Sequence, residues 1–168
     1  MKQSNSTYMR GLTALAVTLL TVLTVSFSSC NNDILYSRFV PISSEKWHMD
    51  SVIHFDIPLS DTLTLQRLTT NDQRLIIYIR HTERYPYQNM WLFVGDSLHR
   101  DTIEFYLADD RGQWLGERHH GFIEMPVLYE EHKSFTPACA HYYIEIQHAM
   151  RDTLLRGITD IGLEIKKQ

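Results

Sequence analysis

The chain predicts an all-β fold: an antiparallel β-sandwich of about eight strands, jelly-roll or immunoglobulin-like, behind an apolar N-terminal segment. Three observations lead there. Apolar and polar residues alternate with period two in six separate runs. Those runs are rich in β-branched and aromatic side chains, and clusters of turn-forming residues separate them.

Taken in order, Ser51–Ile57 sets Ile53, Phe55 and Ile57 on one side against His54 and Asp56. Arg74–His81 alternates Leu75, Ile77 and Ile79 with Ile76, Tyr78 and Arg80. Met90, Leu92 and Val94 share one face of the next run, with Trp91 and Phe93 on the other. Thr102–Ala108 turns Ile103, Phe105 and Leu107 inward, and Tyr142–His148 does the same with Tyr142, Ile144 and Ile146. Ile161, Leu163 and Ile165 close the series. Thr69-Thr70-Asn71-Asp72, Gly95-Asp96-Ser97 and Asp109-Asp110-Arg111-Gly112 supply turn chemistry between runs. Ala149–Arg156 has loose helical spacing in Met150, Leu154 and Leu155, and is expected as a packed turn over one end.

The N-terminal segment has a different logic. Lys2 and Arg10 precede Gly11–Phe27, which is apolar apart from Thr and Ser, and Ser28-Ser29-Cys30 follows. Seventeen residues at about 1.5 Å each reach roughly 25 Å, short of the ~30 Å hydrocarbon core of a bilayer. An Ala-x-Ala-like site for ordinary cleavage is missing from the end of the run. Basic, apolar, small and then cysteine is the order of a bacterial lipoprotein precursor, although Phe27 is bulkier than usual at its position. Residues 1–29 are therefore expected as a lipoprotein signal peptide and Cys30 as the lipid attachment site. Residues 30–36 are expected as a lipidated tether, and 37–168 as a single β-sandwich domain. A diacylglycerol thioether plus an amide-linked chain such as palmitate anchors firmly, where one chain would not. An outer-membrane, periplasm-facing position is the expected default.

Cleavage before Cys30 removes 29 of 168 residues and leaves 139, enough for one core without staples. Lys2 and Arg10 leave with the signal, so 14 basic residues face 20 acidic ones, a formal charge of −6. That balance argues against nucleic acid and anionic lipid headgroups as partners, since both require a basic face. With Cys30 lipidated, Cys139 has no partner for a disulfide and reads as a buried thiol.

No metal, cofactor or catalytic constellation is predicted. The chain has nine histidines, but His119 and His120 are neighbours, and His141 and His148 lie seven apart, so strand geometry turns each pair to opposite faces. His-Glu-x-x-His, Cys-x-x-Cys, Gly-x-Ser-x-Gly and phosphate-cradling glycine loops do not occur. Asp109-Asp110 and Glu130-Glu131 read as solvated charge. The richest stretch is Arg84-Tyr85-Pro86-Tyr87-Gln88-Asn89-Met90-Trp91. Its aromatics and amides beside a proline turn could clasp a peptide or stack on a sugar ring, or equally close the loop and pack as core. Tyr85, Tyr87 and Trp91, with Trp114, are the candidate partner-binding surface.

Four phrases carry a family likeness. They are Tyr85-Pro86-Tyr87-Gln88-Asn89-Met90-Trp91-Leu92-Phe93; Leu107-Ala108-Asp109 with Gly112-Gln113-Trp114-Leu115-Gly116; Gln147-His148-Ala149-Met150-Arg151; and Leu155-Arg156-Gly157-Ile158-Thr159-Asp160-Ile161-Gly162-Leu163. In that order, behind a lipoprotein signal, they resemble the gliding-motility lipoprotein GldH family of the Bacteroidetes. The resemblance implies a non-enzymatic envelope lipoprotein working beside the gliding apparatus and the associated type IX secretion system. It brings no catalytic residue, and only Cys30 transfers as a functional position. The competing expectation is a glycan-binding module on the same sandwich.

Overall fold

The computed structural model describes residues 33–59, 73–96, 99–133 and 141–167. Its strands are β1 (Ile34–Pro41), β2 (Lys46–His48), β3 (Ile53–Pro58), β4 (Gln73–His81), β5 (Asn89–Gly95) and β6 (Arg100–Tyr106). They continue as β7 (Glu117–Arg118), β8 (Ile123–Lys133), β9 (His141–His148), β10 (Leu154–Arg156) and β11 (Ile158–Lys167). A 3-10 turn at Ser43–Glu45 links β1 to β2.

Five strands form one sheet in the order β1-β11-β4-β8-β7, and four form another in the order β3-β9-β5-β6. A two-stranded ribbon, β10-β2, accompanies them, and every pairing is antiparallel. With the three short strands β2, β7 and β10 set aside, eight long strands remain. Counted along the chain, the first sheet holds the first, eighth, third and sixth of these. The second sheet holds the second, seventh, fourth and fifth. That interleaving is the jelly-roll solution, with two sheets burying their apolar faces against each other.

The core follows from the alternation. Leu75, Ile77 and Ile79 of β4 and Leu163 of β11 meet Phe55, Leu92, Val94 and Ile146 of the other sheet in one fully buried cluster. Each such side chain contributes about 1.5–3 kcal/mol by leaving water. Truncating Ile77 to Ala would remove that and leave a cavity, a loss of about 2–5 kcal/mol.

Two expectations are corrected. The packed turn expected over 149–156 ends at residue 153: Leu154–Arg156 is extended and pairs with His48, Trp47 and Lys46. Leu155 enters the core there, whereas Leu154 faces outward, which is strand spacing. The tether does not reach residue 36, because Ile34, Tyr36 and their successors pair with β11. The Asp33 carbonyl already accepts the Lys167 N–H at 2.8 Å. Strand β8 had no forecast at all. It carries Pro126, which lies beyond Ile123 and Glu124, the two residues that β7 pairs with among the described residues, and a proline in a strand is tolerated beside such an edge.

The sandwich has two distinct ends. One gathers Asp33, Pro58, Gln73, Gly95, Arg100, Lys133, His141 and Lys167. The other gathers His81, Ile123, Ile158, Asn89, Tyr106 and His148. The Tyr85–Trp91 loop belongs to the second.

Candidate functional site

Folding sorts the four predicted aromatic residues into two groups. Tyr85 is 3% exposed and belongs to the core rather than to any binding surface. Its hydroxyl donates to the Asn89 carbonyl at 2.8 Å, and burial pushes its phenol far above the ordinary value of 10. Trp114 is half-buried, its ring 4.6 Å from His81 and 6.5 Å from Tyr85. It serves as backing, since Ala108 and Trp114 form a β-bridge that folds the β6–β7 connection over the end of the sandwich. Tyr87 and Trp91 are 37% and 38% exposed, and they alone of the four face outward.

The partners of these two residues come from a distant stretch. The Tyr87 hydroxyl donates to the Asp152 carboxylate, 2.9 Å from both oxygens. That bond is the chief reason the Tyr87 phenol is held above its ordinary value. The Ala149 N–H donates to the Trp91 carbonyl at 2.8 Å, and the Trp91 N–H points at the Met150 sulfur at 3.3 Å. The result is a groove of about 420 Å3 lined by Tyr87, Asn89, Trp91, Ala149, Met150 and Arg151. Two rings, a thioether, an amide and a guanidinium make it suited to non-covalent contact. Met150, Arg151 and Asp152 were not foreseen as part of the site. The hint was available, because 147–151 and 85–93 are two of the phrases that carry the family likeness.

The groove stands on a rigid scaffold. Leu107 and Ala108 N–H groups donate to the Gln88 carbonyl at 2.7 and 3.1 Å, and Asn89 donates to Glu104 at 2.6 Å. Gly157 is required below the loop: its φ is +82°, and a Cβ there would lie 2.5 Å from the Tyr85 nitrogen. Gly162 has a matching role on the outer face of the first sheet. The Phe39 ring fills the space that a Cβ would take, 2.4 Å from the ring edge. Phe39 in turn carries the Arg80 guanidinium 3.7 Å above its centroid.

A second hollow, of about 350 Å3, lies at the opposite end between Leu75, Asp96, Asp101, Tyr129, Glu130 and Tyr142. Its polar groups engage one another. Tyr129 donates to Asp101 at 2.6 Å, Tyr142 donates to Asp96, and Lys133 pairs with Glu130 at 2.9 Å. Among the described residues no three His, Cys, Asp or Glu side chains converge as metal ligands. Cys30, the predicted lipid site, and Cys139 lie outside the described residues, as do the turn residues 69–72 and Ser97.

A family model described as GldH lipoprotein matches residues 34–165, the sandwich almost end to end. The chain is similar to a gliding motility lipoprotein GldH homolog of Christiangramia forsetii. The two are 30% identical over 155 residues, which is 85% of this chain and 90% of the relative. It is also similar to the gliding motility lipoprotein GldH of Flavobacterium johnsoniae, at 26% over 162 residues, 89% of this chain and 95% of the relative. Among solved structures, dimeric latent PorU from Porphyromonas gingivalis overlaps 83% of this chain and 13% of its own at 8% identity. Its TM-score of 0.29 is too low to carry an argument. With a family match over residues 34–165 and a relative 30% identical over 85% of the sequence, this chain belongs to the GldH lipoprotein family.

Proposed function

We propose that the chain is a lipid-anchored, non-enzymatic component of the gliding-motility machinery and its associated type IX secretion apparatus. In this reading it is held at Cys30 in the outer membrane, faces the periplasm and docks on envelope proteins through the Tyr87–Trp91 groove. The observation that carries the reading is the joining of two family phrases, 85–93 and 147–151, into one outward-facing groove. Exposed tryptophan and tyrosine with an arginine beside them are the residue types that dominate protein contacts. Contact is favoured over reaction by the surroundings of the groove, whose carboxylates Asp152 and Glu104 are engaged by Tyr87 and Asn89.

The test is two single variants, Tyr87→Ala and Trp91→Ala, each expressed in a gliding host and checked for folding by thermal melting. Each is expected to keep the fold and to lose envelope cross-links and colony spreading. If both variants cross-link and spread like wild type, the docking role fails. A second reading, glycan capture, is favoured by Trp91 and the 57%-exposed Tyr106 flanking Asn89 and Glu104. Binding to immobilised polysaccharide or peptidoglycan that the same substitutions abolish would select it.

A further inference from the structure

The membrane-facing end of the domain can be read from how little chain separates the lipid from the first strand. Asp33 is already built into the sandwich through the Lys167 N–H, and Ile34 pairs with Lys166. Only Asn31 and Asn32 lie between Asp33 and Cys30. Three extended residues span at most about 11 Å. A lipid on Cys30 therefore keeps the Asp33 end of the sandwich within that reach of the headgroups. Strand β11 starts at Ile158, beside His81 at the opposite end, and runs to Lys167. Ten residues of strand place those ends roughly 30 Å apart.

We propose that the sandwich stands end-on on the bilayer. Lys167, Lys166, Arg74 and Lys133 lie at headgroup level, and the Tyr87–Trp91 groove is held at the far end, beyond the reach of lipid. The inference rests on the reading of Cys30 as lipidated. Charge at that end is mixed: Glu164 is matched by Lys166 at 2.7 Å, Glu131 by Arg74 at 3.3 Å and Glu130 by Lys133 at 2.9 Å, and Lys167 is exposed, while Asp101 and Asp96 accept from Tyr129 and Tyr142 and Asp33 is exposed. The short tether, and not charge, sets the placement. Apolar exposure is biased toward the far end. Of nine large apolar side chains exposed among the described residues, six (Met49, Tyr87, Trp91, Tyr106, Leu115 and Leu154) belong to the far end. Those six side chains are thereby presented to the aqueous compartment, where a protein partner can meet them.

All three tryptophans of the chain, Trp47, Trp91 and Trp114, sit at the far end, which makes the wild-type protein its own probe. Full-length protein purified from the membrane is reconstituted into phosphatidylethanolamine–phosphatidylglycerol vesicles with headgroup-nitroxide phosphatidylcholine. Flotation confirms attachment, and mass spectrometry of the same sample reads the state of Cys30. The native emission is expected to stay unquenched, and a Lys167→Trp variant is expected to add emission that is quenched severalfold more strongly. A long Gly-Ser insert between Asn32 and Asp33 should relieve that quenching. Severalfold quenching of the native tryptophans in the wild-type lipidated protein overturns the end-on arrangement and leaves the anchor standing. That arm needs no variant to fold. An unmodified Cys30 sulfur overturns the anchor and the arrangement together.

Discussion

The two ends of the sandwich are built from different chemistry. At the groove end, the outward Tyr87 ring is backed by a buried one. Tyr87 lies 5.9 Å from Tyr85, and Tyr85 packs between His81 and Trp114. Backbone hydrogen bonds from Ala149, Leu107 and Gly157 tie the loops there to one another. At the Asp33 end, side-chain polar contacts take that place: the ion pairs Arg74–Glu131 and Lys133–Glu130 and the tyrosine–carboxylate bonds Tyr129–Asp101 and Tyr142–Asp96. The half-exposed Arg74–Glu131 pair is screened by solvent and contributes little. A surface held rigid before binding loses less entropy on contact, so the groove end is the one prepared for recognition.

The substitution expected to break this contrast most strongly is Gly157→Ala. It puts a Cβ at φ +82° and within 2.8 Å of two Tyr85 backbone atoms, which cannot swing aside as a side chain could. Strain and clash together should lower stability by about 3 kcal/mol and the thermal midpoint by about 10 °C. Gly112→Ala is the control. Its φ is +76° with nothing within 4 Å of the added carbon, so only the left-handed backbone penalty, about 1–2 kcal/mol, applies. Equal midpoints for the two variants would mean that the close seat beneath Tyr85 contributes nothing.

How far this was legible from sequence depends on what surrounds each strand. β3, β4 and β5 have one face in the core and bury Phe55, Ile77 and Leu92 in strict alternation, so period two found them. β1 is an edge strand with half-buried positions in pairs, and Ser37-Arg38 breaks its pattern. β8 is disguised by Pro126 and by two register shifts against β4, where Leu75 opposes Glu130 and Ile76 opposes Leu128. A bulge moves side chains to the other face, which erases the alternation a reader looks for. The aromatic loop was visible as composition alone. Tyr85 and Tyr87 are two apart, and on a strand they would share a face. In this loop one turns in and the other out, and the Asp152 that holds Tyr87 is 65 residues away.

Acid should weaken the groove end next. His81 and His148 are both buried there, and burial holds both imidazoles below the ordinary value of 6.5. Each has one ring nitrogen at 3.1 Å from a backbone carbonyl, Thr82 for His81 and Trp47 for His148, which fixes the proton on that nitrogen. The other nitrogen of each ring is buried with no hydrogen-bond partner among the described residues. The unfolded chain therefore binds more protons than the folded one once pH drops below about 6.5. Stability is full above that pH and declines as pH falls toward the folded values. Thermal midpoints at pH 5 should lie below those at pH 7. Exchanging both histidines for Gln, which keeps a donor for each carbonyl, should flatten the profile. A wild-type profile that is level, or rises toward acid, would contradict this assignment of the protons.

The smallest effect belongs to the other end. Arg74→Met removes the 3.3 Å pair with Glu131, whose side chains are 42% and 48% exposed. Pairs of that exposure are worth about 0.5 kcal/mol or less. Trimming also removes a liability, because the Arg74 Nε is buried without a hydrogen-bond partner and the aliphatic stem is replaced by one of similar reach. The two effects oppose each other, so the midpoint should move by only a degree or two, in either direction. Molar salt should leave it there, since screening at about 3 Å already silences the pair in the wild type. A fall comparable to that of Gly157→Ala would show that this end, too, is held by a cooperative network. The contrast between a rigid recognition end and a loosely paired one would then dissolve.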